Sequence, residues 1–347
     1  MTPEQDELRA SVRKLLEREE NPWPALCEVG VTALAIPEQF GGLGAGSVEL
    51  RIVAEELGRV LSDAPFLGTT VATAAVLASG DESLLPRLAE GAVAALAWTG
   101  EDGRWSPDAV ACHADGSTVD GIAHYVLDGD TAEILVVAAH SADGIALYEV
   151  DSALREHVPS MDETRRLATV TFDHSPARLL GPVDLAPVRD LACLVLAAEQ
   201  TGAAARALEL TVNYTKQRHQ FGRPIGSFQA LKHRMADLHV LVETSRSAAY
   251  ADHAAVAKVH CGDAFCKVTA EMIQLHGGIA ITWEHPAHRY FKRAHASYQL
   301  FGAPHHHLGR VRPLSRGHGR ACPPKNSGVS SIQMSHSSCK THPRDLH

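Results

Sequence analysis

Basic residues are in the minority in this sequence, which carries 32 Lys and Arg against 41 Asp and Glu and has a formal net charge of -9. A protein whose body binds nucleic acid needs a basic excess that neutralises phosphates. The charge balance therefore excludes nucleic-acid binding as the main function. A small acidic ligand such as a nucleotide is still compatible, because it needs only a local basic patch.

Other features are also absent. No stretch near residue 1 has the basic, apolar and small-residue order of a signal peptide, and no apolar run is predicted to span a bilayer, so we expect a cytoplasmic protein without a membrane partner. The 7 cysteines are scattered and odd in number, which favours reduced thiols over a disulfide framework. Cys261 and Cys266, near His260 and His276, lack the spacing of a closed zinc site, and no metal is predicted.

Acidic residues are missing from one long stretch, since no Asp or Glu occurs between Glu284 and Asp345. The last part of the chain, 309–347, is rich in basic residues, Ser, Pro and His and has hardly any apolar periodicity. This part is predicted to be a disordered basic tail. A solvated tail, or a segment read out of its ancestral frame, is favoured over an arm that binds nucleic acid.

The spacing of apolar residues divides the rest of the chain into three predicted domains. Residues 1–92 show helical spacing throughout. In residues 93–183 the spacing becomes that of short strands separated by turns, which predicts an antiparallel β-domain. Helical spacing returns in residues 184–308 with short loops, which is typical of a bundle. The predicted fold class is α+β: an N-terminal helical domain, a middle antiparallel β-domain and a C-terminal four-helix bundle.

Local signals predict some of the element ends. Ser47 is a predicted N-cap of a helix in the first domain. The predicted turns of the β-domain are Asp115-Gly116, Asp120-Gly121 and Asp128-Gly129. The helices of the bundle are predicted at about 187–220, 227–255, 257–276 and 285–300.

The stretch 214–237 reads as the end of one helix, a turn and the start of another. Gly222, Pro224 and Gly226 would interrupt a continuous helix, and Ser227 is the predicted N-cap of the second helix. Such a turn presents Arg218 and backbone amides to solvent. A guanidinium beside a helix N-terminus suits a diphosphate.

The pattern Arg-x-x-Phe-Gly-x-Pro-Ile-x-x-Phe-Gln that begins at Arg218 resembles a signature of the acyl-CoA dehydrogenase family. The stretch 274–278, Gln-Leu-His-Gly-Gly, followed by Thr282, Glu284, Pro286 and Arg289, is similar to the second signature of that family. The resemblance covers residues 1 to about 304. It implies an acyl-CoA dehydrogenase-like fold, FAD as cofactor, an acyl-CoA substrate and an electron-transfer flavoprotein as acceptor.

In dimers of this family, one subunit holds the adenosine and pyrophosphate of its neighbour's FAD. By resemblance the residues of this chain that have this role, or lie next to those that do, are Arg218, Phe221, Gln229, Gln274, Gly277 and Gly278. The resemblance therefore implies an intact half-site that this chain lends to a neighbour.

The family also needs a catalytic glutamate, which removes the α-proton of the thioester while hydride passes from the β-carbon to the flavin. Family members place it at one of two positions, which here are occupied by Phe301/Gly302 and by Ala192. Glu199 is the remaining candidate, on the same helix face as Ala192 but about 10 Å along the axis. No residue is therefore predicted to be catalytic, and Glu199 is the candidate to test.

The flavin-facing part of the site also departs from the family. Leu127 stands where the family has a Thr or Ser whose hydroxyl meets the isoalloxazine, and residues 98–103 replace its Thr-Glu-Pro-x-Ala-Gly-Ser-Asp turn. A chain that keeps the half-site it lends and lacks the half it would use is interpreted as an accessory subunit. It resembles the shorter, non-catalytic chain of the α2β2 acyl-CoA dehydrogenases of actinobacterial steroid side-chain degradation, whose longer chain supplies the glutamate.

Two alternatives stay open at this point. The first is a self-sufficient homotetrameric dehydrogenase with a relocated base. The second is a non-enzymatic acyl-CoA-binding or scaffold protein, which the retained Arg218 turn disfavours because a scaffold has no use for a diphosphate clamp.

Overall fold

The computed structural model describes residues Met1–Val311, which form one compact unit. The predicted tail lies outside the described residues from position 312 onward. Its first residues do make contacts, because the Arg310 guanidinium pairs with Asp190 and donates to Nδ1 of His307 at 2.9 Å.

The first part of the chain is helical, as predicted. Its α-helices are α1 (Pro3–Leu16), α2 (Trp23–Glu28), α3 (Ser47–Arg59), α4 (Phe66–Ser79) and α5 (Leu85–Ala89). The prediction of Ser47 as an N-cap is wrong by one residue. Gly46 occupies that position, and its N–H donates to the Glu49 carboxylate at 3.0 Å. The Ser47 hydroxyl instead accepts a hydrogen bond from Arg51 at 2.9 Å.

A seven-stranded sheet follows. Its strands are β1 (Ala94–Ala97), β2 (Cys112–Asp115), β3 (Thr118–Leu127), β4 (Ile134–Ser141), β5 (Gly144–Val150), β6 (Leu154–His157) and β7 (Leu167–Pro182). The order is β1-β4-β2-β3-β7-β5, with β6 paired to β7 and β4 also paired to β5. Most pairs are antiparallel, as expected, but β4 runs parallel to both β1 and β2.

One predicted turn of the sheet is wrong. Asp120-Gly121 lies inside β3, where the register against β7 shifts between Val119 and Gly121. Gly121 has a φ of 135°, and the Asp120 carboxylate accepts the His174 N–H at 2.7 Å. The pair therefore forms a bulge, which uses the conformational freedom of glycine without reversing the chain.

The last part of the described chain is again helical. Its helices are α6 (Leu185–Gln217), α7 (Gln229–Tyr250), α8 (Ala254–His276), α9 (Ala287–Gln299) and α10 (Pro304–Leu308). The first four match the predicted helices to within a few residues. Contrary to the expectation from the sequence, the 33-residue α6 is long and apolar enough to span a membrane, but 89% of its apolar window is buried inside the protein. Such burial is that of a core helix.

Helix α6 crosses α3 at very short range. Gly58 and Gly202 face the opposing helix, and a Cβ atom at either would overlap a backbone carbonyl, that of Glu199 or of Glu55. The two helices therefore approach to backbone contact. This crossing ties the N-terminal helices to the bundle and fixes the middle of α6, where Glu199 lies.

Candidate functional site

The stretch from Arg218 folds into a small hairpin at the end of α6. Two short strands, β8 (His219–Gln220) and β9 (Arg223–Pro224), pair across a turn at Phe221 and Gly222 with φ of 54° and 77°. The Arg218 N–H donates to Tyr214 and closes α6, and the Ile225 N–H donates to the Arg218 carbonyl at 2.8 Å. The backbone of Arg218 is thus fixed on both sides, while its side chain is exposed.

The Ser227 prediction is wrong. Ser227 ends a short 3-10 helix, Ile225–Ser227, and its hydroxyl donates to the Pro224 carbonyl at 2.7 Å instead of accepting an amide of α7. Phe228 occupies the N-cap position of α7, and no side chain caps that helix. The first N–H groups of α7 therefore keep their capacity to bind an anion.

The second signature ends α8 with an exposed turn. Gln274, Gly277 and Gly278 are exposed, and Gly277 has a φ of 66° with a ψ of -144°, a conformation open essentially only to glycine. A Cβ at either glycine would meet no atom within 4 Å. The backbone of this turn is therefore open to close approach by a ligand.

The two signatures lie side by side. The Tyr214 hydroxyl donates to the His276 carbonyl at 3.2 Å, and the two rings stack with centroids 4.3 Å apart. The six predicted cofactor residues are all exposed: Arg218, Phe221, Gln229, Gln274, Gly277 and Gly278. Within the described part of the chain, the side chains of Arg218 and Gln274 form no hydrogen bond, whereas the Gln229 amide contacts His233 at 2.8 Å.

Large apolar side chains near these turns face solvent. Phe221 is 90% exposed, Ile281 76% and Trp283 72%. Exposed apolar side chains mark a binding surface when they are contiguous, so these residues are candidates for covering by a partner or a ligand. The Phe221 ring makes an edge contact with Phe228, with ring centroids 6.1 Å apart, and is otherwise largely open to solvent.

The positions expected for the catalytic acid are apolar and buried. Ala192 is 0% exposed and Phe301 1%, and both belong to one hydrophobic cluster that also contains Leu127. Trp105 packs edge-on against Phe301, with ring centroids 5.0 Å apart, and against Trp98, with ring centroids 5.6 Å apart. Apolar side chains therefore surround both positions that the resemblance assigns to the catalytic acid.

A cleft of about 370 Å³ remains beside this cluster. Its walls include Trp105, Phe301 and Gly302 together with Arg104 and Arg189. No acid side chain lines it among the residues that the structure describes. The nearby Asp190 is held by ion pairs with Arg189 and Arg310.

Glu199 is buried in an ion-pair network. Its carboxylate accepts hydrogen bonds from Arg165 and, at 2.8 Å, from Arg293. Burial alone would raise the pKa of Glu199, but the two guanidinium groups hold that pKa below its ordinary value. A carboxylate held by two guanidinium groups is a poor proton acceptor, so the geometry gives Glu199 a structural role.

Sequence reasoning assigned no role to some of these residues. Arg165 and Arg293 become partners of Glu199 only through the packing of α6 against the sheet and α9. His276 lies inside the second signature and Tyr214 lies one turn before the first, and their ring contact could not be read from a linear pattern because they lie 62 residues apart. A tyrosine one turn before Arg218 was the available signal.

Comparison with known proteins agrees with this geometry. Residues 2–92 match the family description "Acyl-CoA dehydrogenase, N-terminal domain", and residues 191–311 match "Acyl-CoA dehydrogenase, C-terminal domain". The chain belongs to the acyl-CoA dehydrogenase family. Members of this family bind FAD and are oxidoreductases that act on the CH–CH group of acyl-CoA. The predicted family, fold class and cofactor are confirmed.

Among relatives, the acyl-CoA dehydrogenase IpdE2 of Mycolicibacterium smegmatis is 43% identical over 312 residues, covering 88% of this chain and 91% of its own. IpdE2 of Mycobacterium tuberculosis is also 43% identical and covers 88% and 89%. FadE34 of the same organism is 33% identical over 305 residues, but the match covers only 41% of its length.

Solved structures show the same fold. The Tcur3481-Tcur3483 steroid ACAD is 29% identical with a TM-score of 0.77, and the match covers 89% of this chain and 96% of that chain. The ChsE4-ChsE5 complex from Mycobacterium tuberculosis is 25% identical with a TM-score of 0.80, covering 90% and 96%.

The residues present fit one half of FAD and not the other. The exposed Arg218 guanidinium, the open glycine turn at 277–278 and the uncapped start of α7 suit an adenosine diphosphate group. Leu127 has no hydroxyl for the isoalloxazine and is only 6% exposed within the apolar cluster. An acyl-CoA dehydrogenase chain of this kind can hold the diphosphate end of FAD more readily than its reactive ring.

Proposed function

We propose that this chain is the accessory subunit of a heteromeric, FAD-dependent acyl-CoA dehydrogenase. It lends the adenosine and pyrophosphate half of the FAD site to a longer acyl-CoA dehydrogenase-like chain, which supplies the catalytic glutamate. FAD, when bound, accepts the hydride that leaves the β-carbon of the CoA thioester. The reaction is the α,β-desaturation of that thioester.

One contrast supports the proposal more than any other observation. The side chains suited to a diphosphate, with Arg218 foremost, are exposed and face outward, whereas Ala192 and Phe301 are buried where this chain would need its own acid. A subunit that worked alone would need a carboxylate at one of these buried positions more than it would need the exposed side chains. Arg218 and the 90% exposed Phe221 are explained if another molecule binds over them.

The similar proteins suggest the form of the assembly. Two of the solved neighbours bear the names of paired chains, the ChsE4-ChsE5 complex and Tcur3481-Tcur3483. FadE34, of which this chain matches 41%, has room for a second unit of similar length in one polypeptide. We therefore propose an α2β2 assembly. Because the 29% identical neighbour is a steroid ACAD, a steroid side-chain CoA ester is the proposed substrate. An electron-transfer flavoprotein is the proposed acceptor.

The test is reconstitution with a longer acyl-CoA dehydrogenase-like chain, to be sought among the genes that neighbour this one. We expect the lone chain to hold FAD weakly and to be inactive, and the co-purified complex to hold FAD and to oxidise an acyl-CoA. Tight FAD binding and full activity in the lone chain would contradict the proposal.

In the complex, Arg218→Ala should weaken FAD binding by roughly 10- to 100-fold, because a charge-assisted hydrogen bond to the diphosphate is lost. The dissociation constant can be measured by flavin fluorescence. Arg178→Ala is the matched control, since Arg178 is another exposed arginine but pairs with Glu149 on the sheet. Equal FAD affinity in the Arg218 and Arg178 variants would show that this chain does not hold the diphosphate.

A further inference from the structure

Three aromatic rings lie directly behind the two exposed turns. Tyr214 from α6 stacks on His276 from α8 at 4.3 Å with 23° between the ring planes, and His285 packs on His276 at 4.4 Å. Tyr214 is one turn before Arg218, whose N–H it accepts at 2.9 Å, and His276 precedes Gly277. The stack thus connects the Arg218 hairpin with the 274–278 turn, and these two segments together form the half-site.

The hydrogen bonds define the state of the His276 ring. Its Nδ1 lies 2.8 Å from the Met272 carbonyl, so Nδ1 must carry the hydrogen. Its Nε2 is buried and has no partner among the described residues. A second proton on Nε2 would therefore create a buried N–H without an acceptor, which favours the neutral ring.

The surroundings of His276 oppose a positive charge. The titratable groups that face it are Tyr214 from α6 and His285 from the segment before α9, with His288 next to His285. Burial, reinforced by His285, lowers the pKa of His276 below 6.5 despite the bond to Met272. His285 Nδ1 accepts the Ala287 N–H at 3.2 Å, and burial and His288 lower its pKa as well. No described carboxylate contacts these rings.

We propose that Tyr214 and His276 are positioning residues: they hold the Arg218 hairpin in register with the 274–278 turn, so that FAD retention depends on an uncharged His276. The inference rests on the proposed function, because it assigns FAD to the same half-site. The Tyr214 hydroxyl fixes the His276 carbonyl, and that carbonyl begins the peptide bond to Gly277. A shift of this contact moves one side of the diphosphate clamp relative to the other.

Protonation of His276 should weaken the clamp. The positive charge would lie on His276, which is only 4% exposed and packs against His285. The hydrogen bonds around the ring favour the neutral form, so FAD affinity should be constant at neutral pH and should fall as the pH drops below the ordinary histidine range.

The experiment measures FAD affinity in the co-purified complex from about pH 5 to 8. Tyr214→Phe keeps the ring and removes one hydrogen bond, and we expect roughly 3- to 10-fold weaker binding at every pH. His276→Asn keeps an N–H donor near the position of Nδ1 and has no titrating ring. We expect weaker binding at pH 8 and loss of the acid-side fall in affinity.

The matched control is His113→Asn. His113 stacks on His140 at 5.3 Å across strands β2 and β4, so it is a histidine in a similar ring pair outside the half-site, and its substitution should leave FAD affinity and its pH profile unchanged. Thermal unfolding of each variant separates a folding defect from weak binding. If His276→Asn does not fold, Tyr214→Phe and the pH profile of the unmodified complex decide the outcome.

Wild-type affinity in Tyr214→Phe, or an unchanged acid-side fall in a folded His276→Asn complex, would overturn the positioning role. Arg218→Ala in the same assay distinguishes the two proposals. If Arg218→Ala loses FAD while both positioning variants keep it, only the inference about Tyr214 and His276 fails. If all of them keep it, the lent half-site itself fails.

Discussion

Phe301 changes the chemistry of its position in two ways. Its aromatic ring makes an apolar edge contact with Trp105 at the position expected for the acid, and it cannot accept a proton. Its φ of 57° is uncommon for a large side chain, yet His307 Nε2 lies 2.9 Å from its carbonyl and Gly302 follows with a φ of 93°. The backbone of the turn is therefore held by local contacts although its acid is absent.

Glu199 offers a test of chemistry against structure at the same scale. Glu199→Gln leaves Arg165 and Arg293 buried without their full counter-charge. We expect the free energy of unfolding to fall by roughly 3–5 kcal/mol, while turnover per folded complex stays unchanged. Denaturant unfolding and steady-state kinetics on the complex measure the two quantities.

Glu209→Gln is the control for Glu199→Gln. Glu209 pairs with Arg59 at 2.8 Å but is partly exposed, so its loss should cost less than about 1 kcal/mol. A large fall in turnover with unaltered stability in Glu199→Gln would instead identify Glu199 as the relocated base.

The elements follow from patterns that the sequence carries locally. Helical spacing in residues 184–308 and alternation in 93–183 predicted the order of helices and strands, because burial of one face imposes those periods. The ends were harder to predict. Ser47, Ser227 and Asp120 each have the right chemistry for a cap or a turn, but each side chain has another partner. The Ser47 hydroxyl accepts from Arg51, the Ser227 hydroxyl donates to the Pro224 carbonyl, and the Asp120 carboxylate accepts the His174 N–H.

The crossing of α3 and α6 gives a prediction for whole elements. Gly202→Ala would place a methyl group on the carbonyl of Glu55, so the helices must separate. We expect a loss of roughly 1–3 kcal/mol or more in unfolding free energy. Thermal or denaturant unfolding of the complex measures it.

Gly309→Ala is the matched substitution for Gly202→Ala, because a Cβ there meets no atom within 4 Å and should have little effect. Equal stability of the two variants would mean that α3 and α6 do not pack as closely as described.

At the scale of the whole molecule, the sequence predicted which residues form the half-site but not how they come together. Arg218 and Gln274 could be predicted because they belong to short motifs. The ring stack of Tyr214 and His276 depends on the packing of α6 against α8, which no local pattern encodes. The assembly with a partner is further from prediction, since it depends on a surface completed by another chain.

Complex formation should change the environment of Trp283. Trp283 is 72% exposed, whereas Trp98 and Trp105 are buried, so a partner that covers the face beside the 274–278 turn should shift part of the tryptophan emission to shorter wavelength. Fluorescence titration of the chain with its partner measures the shift. Trp283→Phe should abolish most of the shift without preventing assembly. Emission that stays constant on assembly would place the interface elsewhere.

Helix α6 connects the position of the missing acid with the proposed FAD-binding hairpin. Ala192, where an acid is missing, lies near its start, and Arg218 closes its end, so at 1.5 Å per residue the two are separated by roughly 40 Å. A side chain substituted at one end therefore makes no direct contact with the other end. After a gene duplication, selection could therefore relax on catalysis in one copy while it continued to preserve the lent surface. The length of one helix makes such a division of labour between paralogues mutationally accessible.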